Sequence, residues 1–158
     1  MGRIIAVLVG VVACVALWTY LARQASPAPL TRLPLTIETV NGPVRFTVEV
    51  AQSAAQQERG LMYRTSLAPD AGMLFDLHAE KRVALWMKDT PIPLDMVFIK
   101  ANGTIAQIAA NATPLSLKPI ASRARVRAVL EIAGGRAGEL QLRPGDHVVN
   151  EIFVDTAP

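Results

Sequence analysis

The chain has 158 residues, a net charge of +3, a pI of about 9.4 and 51% hydrophobic residues. That length supports one domain with a modest core, and the mild basicity favours polyanions over polycations as contacts. One cysteine, Cys14, and two histidines, His78 and His147, exclude a disulfide framework, Cys-based metal sites and zinc motifs built on paired histidines.

Residues 4–22, "IIAVLVGVVACVALWTYLA", carry no charge and are apolar except for Thr19 and the amphipathic Tyr20. As a helix this run spans roughly 28 Å, close to the hydrocarbon thickness of a bilayer. Trp18 and Tyr20 sit near one end, where such rings favour the interface, and Arg3 and Arg23 flank the run. Residues 1–23 therefore read as an N-terminal hydrophobic helix serving as an uncleaved signal anchor. A cleaved signal peptide is the alternative, but a cut after Ala22 or Ala25 puts Tyr20 or Arg23 where a small residue belongs. "VVAC" resembles a lipobox and would make Cys14 a lipidation site. All three readings export the rest of the chain. They place the globular part on the periplasmic side of the cytoplasmic membrane, in single-pass, secreted or lipidated form.

Residues 24–34 are proline-rich and read as a stiff spacer. Residues 35–158 form the exported domain. "LTIETV" and "VRFTVEVA" flank the Asn41-Gly42 turn dipeptide and predict a β-hairpin with Val44, Phe46, Val48 and Val50 on one face. "SAAQQERG" predicts a short helix capped by Ser53 and stopped by Gly60. Strands follow over "MLFDL", "RVALWM", "LDMVFIK", "TIAQIAA", "RARVRAVLEIA" and "HVVNEIFV", and "RAGELQL" holds a helical turn. Short strands separated by turns, with one or two small helices, predict a mainly β domain: a compact antiparallel sandwich or barrel-like unit. No βαβ alternation supports a doubly wound sheet.

In "WMKDTPIPLDMVFI", alternation puts Asp95, Val97 and Ile99 on one face and Leu94, Met96 and Phe98 on the other. Both faces are mostly apolar, which predicts a central strand and a buried Asp95. Such a carboxylate needs donors or a cation, or else it stays protonated. It can serve as an acid or base, as a ligand acceptor, or as a cap for the preceding loop. Lys88 and the amides of the Lys88–Pro93 loop are the partners expected for it. Asp89 and Thr90 suit a turn in which side chains fold back on the backbone. The four methionines Met62, Met73, Met87 and Met96, with His78, offer soft ligands for Cu(I), although adaptable core packing explains them as well. Arg123, Arg125 and Arg127 alternate along a predicted strand and form a basic stripe suited to anionic lipid or envelope polymers. Without interleaved aromatics the stripe does not suit nucleic acid.

"QERGLMYR", "GMLFDL", "WMKDTPIPLDMVFI", "VLEIAGG" and "PGD", in that order, closely resemble the motifs of the DUF192 family of small bacterial and archaeal proteins. The resemblance implies a compact, mainly β domain of sandwich or jelly-roll type and brings no established activity. Where the family usually has Asn after the central Lys, this chain has Asp89, which weakens a catalytic role there and favours Asp95. These readings converge on a membrane-tethered, envelope-accessory domain that binds a small ligand, with carbohydrate or cell-wall fragments as candidates. Arg64, Trp86, Lys88, Asp89, Asp95 and Glu131 are the expected site, with Trp86 as a stacking surface. A metal-independent hydrolase pairing Asp95 with Glu131 or Asp89 is the first alternative, and a periplasmic Cu(I) module is the second. No cofactor is expected, and protein partners are left open.

Overall fold

The computed structural model describes residues 29–153. The expected anchor lies outside the described residues, and among those described no helix is long and apolar enough to cross a membrane.

Strands β1 (Thr31–Thr39) and β2 (Gly42–Ala51) form the predicted hairpin. Thr39 pairs with Gly42, so the turn residues are Val40 and Asn41, one position earlier than the Asn-Gly dipeptide suggests. The Thr39 hydroxyl explains the shift, since it accepts from the Asn41 amide at 3.1 Å and donates to the Gly42 carbonyl at 2.8 Å. In β2, Phe46, Val48 and Val50 are buried while Arg45 and Thr47 face solvent.

Helix α1 (Ala54–Arg59) starts at Ser53 in a full capping box with Gln56 and ends at Gly60, as its sequence predicts. Gln57 ties the helix to the sheet, donating to the carbonyls of Asp76 at 2.6 Å and Ala51 at 3.2 Å. A Cβ on Gly60 would stand 3.1 Å from the Phe75 ring, and the residue's φ of 46° also favours glycine, so the helix end lies directly on the sheet.

Strand β3 (Ala71–Lys81) returns parallel to β2, with Thr47 beside Ala71 and Ala51 beside Phe75. This corrects the antiparallel expectation. Residues 52–70, with α1, supply the crossover that parallel neighbours require. The chain continues through β4 (Ala84–Leu85), β5 (Leu94–Ile99), β6 (Ile105–Ala112), β7 (Ile120–Ala121) and β8 (Val126–Ala133). It closes with α2 (Arg136–Glu139), β9 (His147–Val149) and a single 3-10 turn over Glu151–Phe153.

Seven strands in the order β6-β5-β8-β3-β2-β1-β9 make one sheet, which curls into a half-barrel whose edges meet at the Thr104–His147 bridge. The β4-β7 pair forms a separate two-stranded ribbon. The inner face buries residues from all seven strands, among them Leu35, Ile37, Val48, Leu74, Val97 and Leu130, with Ala137 of α2 packed against them. The outer face carries a second apolar layer of Met73, Phe75, Met87, Met96, Phe98 and Val129 beneath the connecting loops. Each such side chain contributes about 1.5–3 kcal/mol on burial, so neither layer is dispensable. Strand β5 is buried along its whole length, which is why both of its faces read as apolar in the sequence.

Candidate functional site

Two carboxylates sit inside this framework on neighbouring strands. Asp95 in β5 is wholly buried (0% exposed) on the inner face with Val97 and Ile99. Its Oδ1 accepts from the backbone amides of Asn111 at 2.7 Å and Gly135 at 2.9 Å, and its Oδ2 accepts from Ala137 at 2.7 Å. These donors come from β6 and the start of α2, not from the Lys88–Pro93 loop expected from sequence. A carboxylate saturated by three amides fixes the backbone around it and has little acceptor capacity left for a substrate. It pins α2 against the sheet end. Gly134 lets this junction close, for its amide donates to Pro93 at 2.9 Å and a Cβ there would stand 2.7 Å from the Pro93 side chain.

Glu131 in β8 lies directly opposite Met73 of β3 and Met96 of β5, and so points to the outer face. It is 4% exposed. Among the described residues no side chain or amide donates to its carboxyl group, and burial alone pushes its pKa to about 8. At neutral pH it is therefore mostly a neutral acid, able both to donate and to accept a hydrogen bond.

Glu131 borders a cavity of about 420 Å³ between α1, the β4 ribbon and the outer face of the sheet. Leu61, Phe75, Leu77, Val83, Leu85 and Val129 supply most of its apolar wall. Thr90 and Trp86 also border it, with Trp86 51% exposed. The Lys88 ammonium stands 5.6 Å from the centre of the Trp86 ring. Gln57, Glu58, Arg59 and Lys81 complete the polar part of the lining. A largely apolar concavity of this size with few polar groups is the usual form of a small-molecule site. The wall residues were not singled out from sequence. The alternation of β3, which puts Met73 and Phe75 on one face, carries part of that signal.

Of the six expected site residues, Trp86 and Glu131 share this cavity. Arg64 turns away to pair with Glu49. Asp89 accepts from the Tyr63 hydroxyl at 3.0 Å, and its Oδ2 lies 4.0 Å from the Lys88 ammonium. That hydrogen bond and the Asp89 charge raise the pKa of Tyr63. Asp95 and Glu131 point to opposite faces of the sheet, so they do not form a carboxylate pair. Asp89 lies in a half-buried turn while the Asp95 oxygens face α2, so that pairing does not form either.

Met73, Met87 and Met96 are fully buried in the outer apolar layer and present no sulfur to solvent. Met62 borders the cavity. His78 is exposed elsewhere, with its Nε2 2.9 Å from the Gln52 carbonyl. The methionines thus serve as packing, and the histidine does not join them. The arginine stripe is also divided, because β8 begins only at Val126. Arg127 pairs with Asp76, whereas Arg123 and Arg125 are exposed in the preceding loop. Burial raises the Asp76 pKa, but the Arg127 hydrogen bond, the His78 amide and the Arg127 charge outweigh it and hold the carboxyl below its ordinary range.

The family model of DUF192, described as uncharacterised ACR, matches residues 36–150 and takes in all five sequence blocks quoted above. The chain belongs to the DUF192 family. Among solved structures, this DUF192 domain is similar to a Sinorhizobium meliloti protein provisionally assigned as a transcription regulator. The two share 41% identity with a TM-score of 0.77, over 80% of this chain and 99% of the other. It is also similar to a protein of unknown function from Novosphingobium aromaticivorans, at 37% identity and a TM-score of 0.75, over 79% and 90% of the two chains. No curated protein matches the sequence.

Proposed function

We propose that this DUF192 protein is a membrane-tethered domain of the cell envelope that binds a small, mostly apolar molecule. The ligand enters the cavity above β8 and sets one polar group against Glu131, while Trp86 covers it at the rim. The observation that carries this reading is Glu131 itself: a carboxyl group 4% exposed, without a donor among the described residues, on an open cavity. Burial keeps this carboxyl group protonated, so it can both donate a hydrogen bond to a ligand's polar group in the cavity and accept one from it. The apolar wall favours a hydrocarbon-rich ligand over the sugars suggested by Trp86 and carboxylates alone. The uncharged run of residues 4–22 and the spacer behind it support a tether that holds the domain on the outer side of the cytoplasmic membrane.

The test uses N-phenyl-1-naphthylamine, a neutral apolar probe that brightens on leaving water, with the wild-type chain and an Ala84→Trp variant. Ala84 borders the cavity but is itself exposed, so the larger ring fills space without entering the core. Saturable brightening in the wild type that is lost in Ala84→Trp, at unchanged thermal stability, is the expected outcome. Equal brightening in both proteins would rule out the cavity as the binding site.

A further inference from the structure

Three loops beside the cavity expose large apolar side chains that the fold does not use. Tyr63 (65% exposed), Trp86 (51%), Leu115 (60%) and Leu117 (65%) lie on them. The loops are laced together by backbone hydrogen bonds. The Tyr63 amide donates to Asp89 at 2.7 Å, Met87 donates to Ser116 at 3.0 Å, and Leu115 donates to Thr90 at 3.0 Å. Tyr63 and Leu115 also hold left-handed backbone angles, with φ of 64° and 60°. A leucine is a poor choice for that conformation and a poor choice for solvent, so its presence at position 115 calls for a partner that covers it. Lys88 and Lys118 stand exposed on two of the same loops.

The chain itself indicates what that partner is. Leu30, near the start of the described residues, packs on the outer apolar layer and shares a concavity with Tyr63 and Arg64. The polypeptide therefore arrives from its N-terminal segment on the side that carries Tyr63. Only residues 23–28 separate Pro29 from the end of the uncharged run, a reach of at most about 25 Å. A tryptophan, a tyrosine and two leucines flanked by lysines are the composition that settles at the headgroup boundary of an anionic bilayer.

We propose that the surface of Tyr63, Trp86, Leu115 and Leu117 docks on the anionic membrane that anchors the chain, with Lys88 and Lys118 facing the headgroups. The docking rests on the tether of the proposed function and adds an orientation to it: the mouth of the cavity faces the lipid.

The test uses the full chain carrying Trp18→Phe, which leaves Trp86 as its one tryptophan. The protein is reconstituted in phosphatidylcholine vesicles with and without phosphatidylglycerol, and their acyl chains are either plain or brominated near the headgroup. The expected result is several-fold quenching of Trp86 by brominated lipid in the anionic vesicles. It should weaken without phosphatidylglycerol and disappear in a Leu115→Ser, Leu117→Ser double variant that still floats with the vesicles. Flotation with Trp86 unquenched by bromine would overturn the docking and leave the tether standing. A chain that does not float would overturn both. Trp86 shielded from aqueous iodide but not reached by bromine would mean that a second copy or another protein covers the patch, and that also overturns the proposal.

Discussion

Asp95 and Glu131 are buried carboxylates on paired strands, and their surroundings differ in every respect that matters. Asp95 faces the inside of the half-barrel and accepts three backbone amides from two other elements. Glu131 faces the outer layer, receives no donor from the described residues and borders open space. Both satisfy the same coarse description, an acidic side chain in an apolar strand, yet one organises backbone and the other borders a cavity without a donor among the described residues. Saturation, more than burial, separates the structural carboxylate from the candidate site residue.

The contrast is broken most severely at Asp95. Asp95→Ala strands the amides of Asn111, Gly135 and Ala137 and should destabilise the domain by about 3–5 kcal/mol in denaturant titration. A loss below about 1 kcal/mol would show that water or relaxation replaces the carboxylate at little cost. The second effect depends on pH. The folded pKa of Glu131, about 8, lies above its ordinary value of 4.5, so the native state keeps a proton that the unfolded chain releases. Stability is therefore fullest below pH 4.5 and falls as pH rises through 8, by an amount on the order of a few kcal/mol. Glu131→Gln should remove that decline. An unchanged decline in the variant would assign it to another group.

The alternation of "LDMVFI" placed Asp95 in a buried central strand, and its neighbours behave accordingly. Its partners were not legible, because Asn111, Gly135 and Ala137 lie far along the chain and reach it only through the pairing of β5 with β6 and β8. The Ser53 cap and the Gly60 stop were readable because capping is local chemistry. The parallel pairing of β2 with β3 was not, since nothing within either strand marks which neighbour it will take across a crossover. The arginine stripe was misread for a similar reason. Alternation continues through "RARVRAV", but the ladder begins at Val126, and Asp76 claims Arg127. Glu131 was visible as one acid in an apolar run. That it lacks a partner follows from the strands on either side offering it methionines, Met73 and Met96, which no pattern within β8 reveals.

The most direct measurement is the protonation of Glu131, followed by carbon-13 NMR of labelled glutamate carboxyl groups with Glu131→Gln to assign the signal. An unpartnered acid at a cavity wall predicts titration near pH 8 in the ligand-free domain. Titration near the ordinary value of 4.5 would mean that the carboxylate is stabilised in the empty protein, and the cavity would lose the feature that marks it as a binding site.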